Sequence, residues 1–133
     1  MRIITYGEIM DKGNSSFIAI TQMDGDHLIV EFKGEIRCDN PYRHLADYID
    51  EMEKKLGDEA MERVTINFNE FKYCNSNGFY VLMDIIEIIY KMSKGEVCIS
   101  RLKIDDWQQR TLPILLNLED DGVRARTTVK DME

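Results

Sequence analysis

Residues 64 to 90 change from a strand repeat to a helix repeat across one short polar loop, and that change constrains the fold more than any other feature. Val64-Thr65-Ile66-Asn67-Phe68 alternates apolar and polar residues with the period of a half-buried strand. From Phe79 onward the apolar residues fall at 79, 82, 85, 86 and 89, the spacing of one helical face. Between them, Phe71-Lys72-Tyr73-Cys74-Asn75-Ser76-Asn77-Gly78 reads as a loop that delivers the chain into the helix. Ser76 stands there as a helix cap, its oxygen accepting an otherwise orphan backbone N–H. A serine at an exposed helix start is also suited to carry phosphate, because free N–H groups and the positive dipole end favour an anion.

The rest of the chain supplies elements of the same kind. Residues 17 to 23 and 27 to 34 alternate on either side of Asp24-Gly25-Asp26, the signature of a hairpin. Asn40-Pro41 opens a helix, since Asn caps well and Pro is favoured at the first helical position. Leu45, Ile49, Met52 and Leu56 form its apolar stripe, and Gly57 ends it. Glu96 to Ser100 reads as a strand, and Asp105 or Asp106 caps a third helix carrying Trp107, Leu112, Leu115 and Leu116. Pro113 must kink or restart that helix. After the turn at Asp120-Asp121-Gly122, residues 123 to 129 alternate as a last strand. Residues 1 to 13 form either an added edge strand or a loosely held arm.

The expected order is therefore β-β-α-β-α-β-α-β in a single α/β domain over residues 1–133. A hairpin followed by crossover helices implies a mixed sheet of about five strands, with helices 41–56 and 78–93 packed on it.

Charge and cysteine usage exclude several functions. A formal net charge of −8 disfavours nucleic acid, whose phosphates need clustered Lys and Arg. Cys38, Cys74 and Cys98 are odd in number and lack Cys-x-x-Cys spacing, so neither a disulfide framework nor a zinc site is expected. Cys98 reads as a buried apolar residue within its strand. His27 and His44 are the only histidines, and no metal or cofactor site is expected. The apolar segment 79–90 is broken by Asp84 and Glu87 and is too short for a bilayer, so the expected setting is cytoplasmic, with no membrane partner. Cys74, beside a helix start, is the one candidate nucleophile, although no base is placed near it by sequence.

From about Phe17 onward the chain resembles the STAS domain of bacterial anti-sigma factor antagonists. The resemblance rests on the hairpin ending in Gly34-Glu35-Ile36, the strand 64–68, and Phe71-x-Tyr73-Cys74-Asn75-Ser76-Asn77-Gly78-Phe79-x-Val81-Leu82. Trp107-Gln108 followed by Arg110-Thr111-Leu112 is similar to a STAS-like regulator subgroup with an Asn-Ser-Ser-Gly loop. Family members typically read Asp-Ser-Ser-Gly at positions 75 to 78, and the first serine is the phosphorylated one. Here Asn75 replaces the Asp and Asn77 the second Ser, while the acceptor Ser76 is kept.

The resemblance implies a non-enzymatic switch controlled by phosphorylation of Ser76. Its partners would be an anti-sigma-type serine kinase of the ATPase superfamily and a PP2C-type phosphatase. The expected partner surface is Asn75, Ser76, Asn77, Gly78 and Phe79, with Trp107 beside the loop. Two alternatives stand against this reading: a constitutive scaffold in which Ser76 is only a cap, and a thiol enzyme built on Cys74.

Overall fold

The computed structural model describes all residues from Met1 to Glu133. Three strands come first: β1 (Arg2–Asp11), β2 (Asn14–Asp24) and β3 (His27–Ile36), joined as antiparallel neighbours. Then follow α1 (Pro41–Leu56), β4 (Arg63–Asn67), β5 (Phe71–Cys74), α2 (Ser76–Met92) and β6 (Glu96–Leu102). The chain ends with α3 (Asp106–Leu115), α4 (Asp121–Arg126) and β7 (Thr127–Met132). All pairings beyond β3 are parallel, and the order across the sheet is β1-β2-β3-β4-β6-β7, with β5 also on β3. The mixed sheet agrees with expectation, but it holds seven strands rather than five.

One extra strand comes from the N-terminus, where residues 2 to 11 pair along β2. The other is β5, which the sequence presents as loop. The strand β4 breaks after Asn67, and the chain returns to the same edge of β3 with Gly34 opposite Phe71 and Ile36 opposite Cys74. Gly34 is required where β3 lies between β2 and β5, because its φ is +91° and a Cβ there would lie 2.1 Å from the Ser16 carbonyl oxygen of β2. Residues 123 to 126, expected in a strand, instead belong to α4 under the Asp120 cap, so the last strand begins at Thr127. Pro113 stays inside α3, which ends two residues later.

One sheet face carries the core. Phe17, Ala19 and Met23 of β2, Leu28, Val30 and Phe32 of β3, Val64 and Ile66 of β4, and Val97 and Ile99 of β6 are all buried. Against them pack Leu45, Tyr48, Met52 and Leu56 of α1, Val81, Leu82, Ile85, Ile86 and Ile89 of α2, and Leu112 and Leu115 of α3. Alternate residues of the same strands, among them Ile18, Ile20, Ile29 and Thr65, are only half-buried. Cys98 belongs to this second set and is half-buried where a buried residue was expected: the period of β6 aims it away from the helices.

Candidate functional site

The loop between β5 and α2 is built by hydrogen bonds from its two asparagines. The Asn75 side-chain oxygen accepts the Gly78 backbone N–H at 2.8 Å, and its amide donates to the Cys38 carbonyl at 3.0 Å. Its own N–H donates to the Ile36 carbonyl at 2.9 Å, which ties the helix start to the end of β3. The Asn77 amide donates to the Asp39 carbonyl at 2.8 Å. Asn75 is thus the N-cap, and Ser76 is the first residue of the helix rather than its cap.

Ser76 is exposed, and its hydroxyl makes no hydrogen bond. Capping uses the N–H of Gly78, and the first helical bond uses that of Phe79, which reaches the Asn75 carbonyl at 2.9 Å. The N–H groups of Ser76 and Asn77 remain as the free donors of the first turn. Gly78, expected on the partner surface, is buried instead: a Cβ there would lie 2.8 Å from Ile36 Cγ2 and 2.9 Å from Cys74 Cβ. Its role is to bring α2 close to β3 and β5.

Beside Ser76 lies a cleft of about 310 Å³ between α2 and α3. Cys74, Asn75 and Ser76 form one end, Phe79 and Tyr80 one wall, and Trp107, Thr111 and Ile114 the other. Tyr80 and Ile114 are 59% and 68% exposed, so the rim presents apolar surface to solvent. The lining includes no Lys or Arg. Trp107 is brought to the loop, as expected, by an aromatic chain running out of the core. Its ring centre is 5.6 Å from Phe71 and 5.8 Å from Tyr73, and Phe71 is 6.0 Å from Phe68. Arg37 lies over the outer side of Tyr73, 4.4 Å from the ring centre.

The residue that locks this wall in place is Gln108, which the sequence does not mark as functional. It is completely buried, and its amide donates to the Phe68 and Phe71 carbonyls at 2.8 and 2.7 Å. Its side-chain oxygen accepts the Leu102 N–H at 2.8 Å. Gln108 therefore fills the break between β4 and β5, adding a side-chain donor to the Phe68 carbonyl, which also accepts the Phe71 N–H at 3.0 Å, and to the Phe71 carbonyl.

Cys74 does not meet the needs of a nucleophile. It is buried, and burial pushes its thiol up to about 12, so the thiolate is scarce at neutral pH. No three His, Cys, Asp or Glu side chains converge to hold a metal ion. No helix is long and apolar enough to cross a membrane.

No family model matches the sequence, and no curated protein does. Solved structures do match. The chain superposes on the anti-sigma factor antagonist SpoIIAA in its unphosphorylated form with a TM-score of 0.50 and 10% identity, covering 84% of this chain and 87% of that one. It superposes on SiaC of Pseudomonas aeruginosa with a TM-score of 0.54 and 16% identity, covering 100% of this chain and 98% of that one. At these identities the likeness is one of architecture, and it establishes that this chain has a STAS-like fold, shared with both of these proteins.

Proposed function

We propose that this chain is a non-enzymatic protein-interaction switch, set by reversible phosphorylation of Ser76. The observation that carries the reading is the free, exposed Ser76 hydroxyl at the start of α2, beside an apolar cleft with no basic side chain. In the unmodified state, Tyr80, Ile114 and the edge of Trp107 dock on a partner protein. Phosphate on Ser76 adds about −1.5 to −2 charges at the rim of that surface. The free N–H groups of the first turn and the helix dipole stabilise the phosphorylated form of this chain. With no Lys or Arg in the cleft to neutralise the phosphate, its charge faces the partner. Desolvation and repulsion then weaken docking on an apolar or acidic surface.

The modifying enzymes in this reading are a serine kinase of the anti-sigma type, itself the docking partner, and a PP2C-type phosphatase. The fold shared with an anti-sigma factor antagonist, and the resemblance of Asn75-Ser76-Asn77-Gly78 to the family's Asp-Ser-Ser-Gly loop with Ser76 at the first serine, support that assignment. A cytoplasmic setting follows from such partners. The test is phosphotransfer from ATP by the partner kinase, with the acceptor mapped by mass spectrometry, beside binding of wild type, Ser76→Ala and Ser76→Glu. Phosphate on Ser76, with weakened binding of the phosphorylated form, is the expected result. No phosphate and equal binding by all three proteins leave the constitutive scaffold as the better account.

A further inference from the structure

A cleft larger than the one beside Ser76 lies on the other side of α2, and the two share no residue. It is a groove of about 480 Å³ between α1 and α2. Its floor is apolar, formed by Ala46, Ile49 and Ile88, with the ring of Tyr42 at one end. Its rims are acidic, with Asp50 and Glu53 on α1 and Asp84 and Glu87 on α2. None of these four carboxylates makes a salt bridge, although Glu51 on the same helix pairs with Lys55. Asp84 takes only the Tyr42 hydroxyl, at 2.5 Å, and Lys91 is the single cation along the groove.

We propose that this groove is a second docking surface, which receives a basic amphipathic helix of a partner protein. An acidic face that serves only solvation has no need of an unfilled apolar floor. Here the floor runs between two rows of unpaired carboxylates, and that pattern is complementary to an apolar stripe flanked by Lys and Arg. The groove follows α1 from Tyr42 to Glu53, about 16 Å at 1.5 Å per residue, which matches some three turns of an incoming helix. A metal ion is not the occupant, because the carboxylates are spread along the groove and no three converge. The surface is independent of phosphorylation at Ser76, so the chain can hold one partner constitutively while switching another.

The test uses the full chain and fluorescence anisotropy of a labelled amphipathic Lys/Leu helix, with its Glu/Leu counterpart as control. Wild type is expected to bind the basic peptide and not the acidic one. The double variant E53K/E87K should bind it roughly tenfold more weakly. The double variant D58K/E119K makes the same change in net charge at exposed sites outside the groove, and should retain most of the affinity. A46Y fills the exposed floor without altering charge, and should also weaken binding. Circular dichroism verifies that each variant is folded. Equal weakening by the two charge variants, unchanged binding by A46Y, or no binding of the basic peptide to wild type overturns the proposal. Ser76→Glu should leave peptide affinity unchanged, so failure here is separable from failure of the phosphorylation switch.

Discussion

The side-chain oxygen of Asn75 accepts the backbone N–H of Gly78 at 2.8 Å, and this bond leaves the Ser76 hydroxyl unengaged. Adjacent residues that could both cap α2 have divided the work. The structural one is Asn75, which also donates to the Cys38 carbonyl. Asn75→Ala should therefore cost about 1–2 kcal/mol in denaturant unfolding, while Ser76→Ala stays within about 0.5 kcal/mol of wild type. An aspartate at position 75 still caps, but it presents a carboxylate to the Cys38 carbonyl where the amide now donates. Asn75→Asp should accordingly be less stable than wild type, despite a favourable charge at the helix start.

Gln108 provides the second prediction. Replacing it by Met keeps its approximate volume but removes the side-chain partners of the Phe71 carbonyl and the Leu102 N–H, while the Phe68 carbonyl keeps only the Phe71 N–H. Buried polar groups left unpaired cost about 1–3 kcal/mol each before relaxation, so a loss of about 3 kcal/mol is expected. Thermal unfolding by circular dichroism measures it. Hydrogen exchange should locate the damage at residues 68 to 74, since the amide holds the break between β4 and β5.

Alkaline pH should destabilise the fold through groups kept neutral by burial. The Cys74 thiol is raised to about 12, and the Tyr48 hydroxyl is raised by burial despite its 2.7 Å hydrogen bond to Thr21. Below about pH 8.5 the thiol is protonated in both folded and unfolded chains, so it contributes no pH dependence. Above that, the unfolded chain releases its proton first and stability falls as pH rises toward 12. Urea midpoints measured from pH 7 to 10.5 should decline, and less steeply for Cys74→Ala. In the native protein at pH 7.5, Cys74 should react with a thiol reagent far more slowly than a free thiol; equal rates would restore it as a nucleophile.

Local pattern was enough to read the elements whose partners lie within themselves. The stripe Leu45, Met52, Leu56 on α1 and the alternation of residues 27 to 34 both appear in the structure. What escaped depends on contacts distant in sequence. β5 is four residues long and exists because Phe71 and Cys74 find Gly34 and Ile36 across the sheet. The alternation at 123 to 129 held only from Thr127; residues 123 to 126 gave way to α4, whose Arg126 donates to the Tyr90, Ser93 and Gly95 carbonyls near the end of α2. At the site, Ser and Asn are nearly equal as caps, so residue type alone did not separate Asn75 from Ser76. The loop and Trp107 were legible as neighbours; the buried amide that holds them together was not.

The last prediction separates contact from support at the Ser76 cleft. Trp107 packs on Phe71 and Tyr73, so Trp107→Ala should lower stability by about 2–3 kcal/mol whatever its role in binding. Tyr80 and Ile114 are mostly exposed, so Tyr80→Ala and Ile114→Ser should change stability by about 0.5 kcal/mol or less. If the cleft is the partner surface, these two substitutions should each weaken binding of the partner kinase by about tenfold, as loss of an interface anchor does. Calorimetric titration, paired with melting curves for the same proteins, reads both quantities. Affinity unchanged in Tyr80→Ala and Ile114→Ser would move the interface off this cleft. Trp107→Ala would then be left as a purely structural defect, with lowered stability and unaltered affinity.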